Sequence, residues 1–129
     1  RTPPLEWEFL KRQMLAESGG EPDAVSPVGA KGLTQFMDVT WKEWEVNEFG
    51  PAIPPNRHVS VFDPEDAVRA QADVMGWLLS VWEGDARKSL ASYNFGLGNV
   101  RKTIEKHGDR WEEFLPLETK QYLGRIFHG

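Results

Sequence analysis

Apolar positions along this chain recur at helical spacing, and no stretch reads convincingly as a strand. Pro3-Pro4 suits a helix start, and Leu5, Phe9, Arg12, Met14 and Leu15 form a mostly apolar stripe that should run to Ala16–Ser18. Gly19-Gly20 stops it. Glu21 to Lys31, with Pro22, Pro27 and Gly29, predicts a loop, and Gly32 to Met37 a short apolar turn or helix. Thr40-Trp41-Lys42-Glu43 has capping-box spacing and predicts a helix to about Glu48. Gly50 to Arg57, with three prolines, reads as an extended loop. Asp63-Pro64-Glu65-Asp66 is a strong start: Asp caps, Pro takes the first position, and acids fill the first turn. Ala67, Gln71, Val74, Met75, Leu78 and Trp82 then line one face of a long helix. Asp85 to Phe95, Asn99 to His107 and Pro116 to Phe127 complete the set, with a short turn near Trp111. The fold class is all-α, short helices around one long central helix.

Length and composition narrow this further. With 129 residues, no internal repeat and no linker, residues 1–129 read as a single domain that buries roughly two thirds of its unfolded surface. The chain is 40% hydrophobic and 27% charged, the balance of a soluble globular protein. A net charge of -5 argues against nucleic-acid or anionic-membrane partners held by bulk electrostatics, and no basic helix supports a DNA-binding reading. No cysteine is present, so there is neither a disulfide framework nor a cysteine zinc site. His58, His107 and His128 fit no metal spacing, and no metal or other cofactor is expected. No apolar run is long enough for membrane insertion, and RTPPLEWEF does not resemble a signal peptide. A first residue of Arg1 suggests a processed chain or a piece of a longer one.

The stretch ESGGEPDAVSPVGAKGLTQFM, Glu17 to Met37, holds the candidate chemistry. An acid at a helix C-terminus faces the negative end of the macrodipole, and apolar surroundings add desolvation; both raise its pKa. A carboxyl kept protonated near neutral pH is what a general acid requires. The loop behind Glu17 is suited to form a cleft wall, with Gln35 as donor to a sugar or acetamide oxygen. From spacing alone, however, a lone Glu at a helix end usually reads as a solvated surface residue.

Four ordered blocks bear on that choice. Glu17-Ser18 followed by Ala24-Val25-Ser26-Pro27-Val28-Gly29-Ala30-Lys31-Gly32-Leu33-Thr34-Gln35-Phe36-Met37 resembles the signature of the soluble lytic transglycosylases, whose lysozyme-like fold is related to that of goose-type lysozyme. Phe62 to Ala70 resembles the block that opens the family's long helix, and Ala91-Ser92-Tyr93-Asn94-Phe95-Gly96-Leu97-Gly98 its A-x-Y-N-x-G-x-G block. Leu115 to Tyr122 resembles its closing P-x-E-T-x-x-Y segment. By that resemblance Glu17 is the single catalytic acid/base, with Ser18 and Ser26 as small polar groups near it. Gln35 and Met37 line a sugar groove, Tyr93 lies beside the acid, Asn94 shapes its turn and Glu118 braces the site. The glycines of Gly96-Leu97-Gly98 serve a turn, since no strand precedes them as a nucleotide loop would need.

The resemblance implies cleavage of the MurNAc–GlcNAc β-1,4 bond of peptidoglycan to a 1,6-anhydro product, at the cell wall: periplasm, exterior or phage particle. One acid suffices because the sugar's own 6-hydroxyl is the nucleophile. Departures from the family pattern stand beside it. Gln71 occupies a position where the family usually has a small residue on the long helix. Asp38 replaces a frequent proline; it either positions a water, which would make the protein a goose-type lysozyme-like hydrolase, or simply opens the helix before Thr40. Trp41 and Trp44 share a helix face, as sugar-stacking groups or buried anchors, while Trp7, Trp77, Trp82 and Trp111 are assigned to the core. A non-catalytic glycan-binding or scaffold domain is the other function class. The acidic charge suggests delivery by a larger phage or secretion assembly.

Overall fold

The computed structural model describes residues 7–50 and 58–128, and these are all-α, with six α-helices and one 3-10 helix. The loop expected over Gly50 to Arg57 lies mostly outside the described residues, as do Pro3-Pro4 and Leu5. Contacts gather the chain into two compact units: residues 7–77 and residues 78–128.

In the first unit, α1 (Trp7–Ser18) ends as expected. Gly19 turns left-handed at φ 68°, a conformation that costs glycine nothing, and its N–H closes on the Leu15 carbonyl at 2.9 Å. The buried face differs from the expected stripe. Leu10 and Gln13 are buried, whereas Leu15 is 50% exposed and Trp7 56% exposed, so Trp7 is not a core residue. A stripe that weak does not choose its own face. The choice falls to the partner helix, whose Gln71 reaches Leu10 and Gln13.

The second helix, α2 (Asp38–Glu45), starts two residues before the Thr40 expected to cap it. Met37 holds the extended cap position, and its carbonyl accepts the Trp41 N–H at 3.0 Å. No side-chain cap forms. Asp38 supplies a first-turn acid and pairs with Lys31 at 3.0 Å. Trp41 and Trp44 are buried, their rings 4.8 Å apart, and Phe36 meets Trp41 edge-on at 5.4 Å. Trp44 donates its indole N–H to Asp73 at 2.8 Å. Both tryptophans are therefore anchors, with no ring face left for a sugar.

The long helix α3 (Pro64–Val81) starts as its sequence predicts: Asp63 Oδ1 accepts the Asp66 N–H at 3.0 Å. Ala67, Ala70, Gln71, Val74, Met75, Leu78 and Leu79 are buried along it. Trp77 is 37% exposed and meets Phe49 edge-on at 5.3 Å, so it borders the surface instead of filling the core.

The second unit holds the last residues of α3, then α4 (Ala86–Phe95), α5 (Leu97–His107), the 3-10 helix Gly108–Phe114 and α6 (Leu117–His128). Asp85 caps α4 by accepting the Lys88 N–H at 2.9 Å. Helix α4 packs against α5 and α6, and α5 against the 3-10 helix. Leu90, Ala91, Val100, Trp111, Leu115, Tyr122, Leu123 and Ile126 fill the interior. Arg87 grips Glu112 through two bonds of 2.9 and 2.7 Å, which raise the arginine's pKa and tie α4 to the 3-10 helix. Trp82 is half-buried and donates to Ser92 at 2.8 Å.

Candidate active site

Glu17 lies in the last turn of α1, half-buried, with its Oε2 shielded from solvent. The loop after it is tightly tied. Ser18 Oγ donates to the Leu33 carbonyl at 2.7 Å, which clips the far side of the loop to the helix end that carries Glu17. Ser26 closes a small turn: its N–H donates to Ala30 O at 2.8 Å, and its Oγ accepts the Ala30 N–H at 3.0 Å. Lys31 and Phe36 exchange both backbone bonds at 2.9 Å around the turn Gly32–Gln35. Thr34 then pins that turn to α3 through the Ala67 carbonyl at 3.1 Å. A segment of this length without regular structure becomes a fixed surface only through such bonds.

Gln35 is the strained member of this turn, at φ 55°. A left-handed backbone at a residue other than glycine persists only where its surroundings enforce it. The enforcement comes from its own side chain: Nε2 donates to Gly32 O at 2.9 Å and to Ala24 O at 3.3 Å. The amide nitrogen has only two hydrogens, so the donor role expected for Gln35 is taken up by backbone carbonyls. Both bonds use Nε2 and leave Oε1 outside them. Met37 is 45% exposed, and its thioether stem is available as an apolar surface beside the loop. Asp38 is exposed and engaged by Lys31.

The second unit carries the remaining candidates. Tyr93 and Asn94 are half-buried near the end of α4. Asn94 Oδ1 accepts the hydroxyl of Thr119 at 2.9 Å, which binds α4 to α6. Glu118 is exposed in the first turn of α6, and its neighbour Thr119, fully buried, makes the bracing contact. The sequence reading missed Thr119 as it missed Thr34, because a threonine's role as a cross-brace depends on which carbonyl or amide the fold brings to it. Among the described residues no cluster of His, Asp and Glu is arranged to hold a metal ion, and no helix is long and apolar enough to cross a membrane.

The Transglycosylase SLT domain family matches residues 2–114. This chain belongs to that family. The SLT domain's all-α, lysozyme-like fold is also that of its solved neighbours. Lytic transglycosylase Slt of Pseudomonas aeruginosa, solved as an inactive Glu→Gln mutant, superposes with a TM-score of 0.79 at 30% identity, over 95% of this chain and 20% of that one. The 70 kDa soluble lytic transglycosylase of Escherichia coli gives 0.77 at 26% identity, again over 95% and 20%. Among curated relatives, membrane-bound lytic murein transglycosylase F of Haemophilus influenzae (strain PittGG) is 26% identical over 97% of this chain and 27% of its own length. Membrane-bound lytic murein transglycosylase D of Escherichia coli (strain K12) is 28% identical over 98% and 27%. The SLT domain described here thus spans about a quarter of the length of these curated relatives.

Proposed function

We propose that this chain is the catalytic domain of a peptidoglycan lytic transglycosylase, acting at the cell wall with Glu17 as its single acid/base. The observation that carries this reading is the placement of Glu17: a carboxyl at a helix C-terminus, one oxygen out of solvent, with a bonded loop clipped to the next residue. Glu17 then donates its proton to the glycosidic oxygen as the bond from that oxygen to MurNAc C1 breaks and an oxocarbenium-like centre develops. The resulting carboxylate takes the proton of the MurNAc 6-hydroxyl as that oxygen bonds to C1. Glu17 ends protonated as it began, no water is consumed, and the product is the 1,6-anhydro sugar. The tethered hydroxyl supplies a high effective concentration in place of a positioned water. That a relative in this family was inactivated by a Glu→Gln exchange supports a single decisive carboxyl. Residues 1–129 work on this reading as one catalytic domain, delivered to the wall by a larger phage or secretion assembly.

In this reading Gln35 Oε1 accepts from a sugar N–H or O–H, Met37 offers apolar contact, and Tyr93 contributes its hydroxyl. By the family resemblance Ser26 and Asn94 are further substrate-binding residues, and Ser18 and Glu118 supporting ones. Gln35→Ala and Tyr93→Phe are each expected to slow lysis roughly tenfold to a thousandfold. Turbidity loss of purified walls and thermal melting are measured together. Normal lysis by both variants would make the two side chains structural.

Hydrolysis is the second reading, and Asp38 would have to carry it by holding a water. Its exposure and its pairing with Lys31 favour ring closure instead. A digest in heavy-oxygen water should therefore give unlabelled anhydro products, one water lighter than reducing ends, and Asp38→Asn should leave that product unchanged. Labelled reducing-end MurNAc from the normal protein, lost in Asp38→Asn, would make this a hydrolase that uses Asp38.

A further inference from the structure

Gln13 and Gln71 form a polar pair deep in the first unit, 0% and 1% exposed. Their bonds fix both amide orientations. Gln71 Nε2 donates to the Leu10 carbonyl at 2.9 Å and to Gln13 Oε1 at 3.0 Å. Turning Gln71 over would set its oxygen against the Leu10 carbonyl. Turning Gln13 over would set two amide nitrogens against each other. With both held, Gln13 Nε2 remains a buried donor, and Gln71 Oε1 a buried acceptor, without a hydrogen-bond partner in the protein.

Such a group is expensive to keep: a buried donor left unmade forfeits its hydration with nothing in return, whereas an apolar side chain of the same shape costs nothing comparable. A pair of buried amides is therefore poorly explained as packing alone. The helix supplies a use for it. Gln13 and Glu17 are four residues apart within α1 and so share one face. Helical side chains lean toward the N-terminus, which carries the Glu17 side chain back over the turn that holds Gln13.

We propose that Gln13, oriented by Gln71, is a positioning residue for Glu17: its spare amide hydrogens serve the Glu17 carboxylate, directly or across one water, once the proton has passed to the leaving oxygen. Gln13 touches no sugar and acts only through Glu17. Gln71 acts only through Gln13. A donor aimed at the ionised carboxylate strengthens as charge develops there, so it lowers the barrier without tightening the substrate complex. This inference rests on Glu17 being the acid.

The test uses Gln13→Met, Gln71→Met and the double variant on soluble glycan strands, with melting temperatures. Methionine matches glutamine in length and volume, so the core should stay filled. Gln13→Met should stay folded and melt only a few degrees lower, since Gln71 loses one acceptor, yet lose roughly tenfold in kcat with KM unchanged. Gln71→Met should lose less, because Gln13 can still sample its position. The double variant should be no worse than Gln13→Met, the non-additivity expected of residues acting in series. A normal kcat in folded Gln13→Met overturns the proposal. So does a Gln13→Met protein that melts much lower or does not fold, since the pair would then be structural; additive losses in the double variant overturn it too. Glu17→Gln is run in the same assay. If that variant turns over normally, the acid itself is misassigned. If it is dead while Gln13→Met is normal, only the present inference fails.

Discussion

Glu17→Gln is expected to fold normally and to lose wall lysis by roughly 10²–10⁴-fold, the range a positioned proton donor contributes. The substitution keeps the shape of the side chain at the end of α1 and removes only the acid. The neighbouring loop is held by bonds of its own: Ser18 to Leu33, Ser26 to Ala30, and Gln35 to Gly32 and Ala24. The melting temperature should therefore stay within a few degrees of normal while turbidity loss stops. If one group serves as acid and then as base, as proposed, no second carboxylate stands ready to rescue either step. A folded Glu17→Gln protein that keeps more than a tenth of the activity would remove Glu17 from the chemistry.

The second large effect concerns the loop itself. Gly32 has φ 81°, and a Cβ built on it would lie 2.1 Å from the carbonyl oxygen of Val61. That neighbour is backbone, so it cannot rotate away as a side-chain tip would. Gly32→Ala must move either the Lys31–Phe36 turn or the chain before α3. The left-handed backbone alone costs an alanine about 1–2 kcal/mol, and the steric conflict adds to it, so a fall in melting temperature of about 10 °C is expected. Activity should fall with it, because the same turn carries Gln35. Gly29→Ala is the control: φ there is 89°, but nothing lies within 4 Å of the added carbon, so only the backbone part is lost. Equal destabilisation in the two variants would show that the Val61 contact does not matter.

The features legible in the sequence were those set by local chemistry. Asp63-Pro64 and Asp85 open their helices as composition predicts, because an N-cap side chain bonds its own first turn. Gly19 ends α1 for an equally local reason. Local signals also misled. Thr40 has the spacing of a capping box, yet α2 begins at Asp38, where Lys31 from the preceding loop pairs with the acid and the aromatic cluster of Phe36, Trp41 and Trp44 sets the helix. Trp7 and Trp77 are large apolar residues that a sequence sends to the core and that the fold leaves partly in water.

The sequence by itself determined the all-α class, most helix limits, the family blocks and the candidate acid. Each rests on neighbours a few residues apart or on an ordered motif. Tertiary structure alone decided which face of α1 is buried, which atom of Gln35 is tied to the loop backbone, and why Gln71 is tolerated on the long helix. Those answers depend on contacts across wide separations: Gln71 to Leu10, Thr34 to Ala67, Thr119 to Asn94. A glutamine or threonine carries no local mark of the carbonyl or amide it will meet. That partner exists only once the helices have packed.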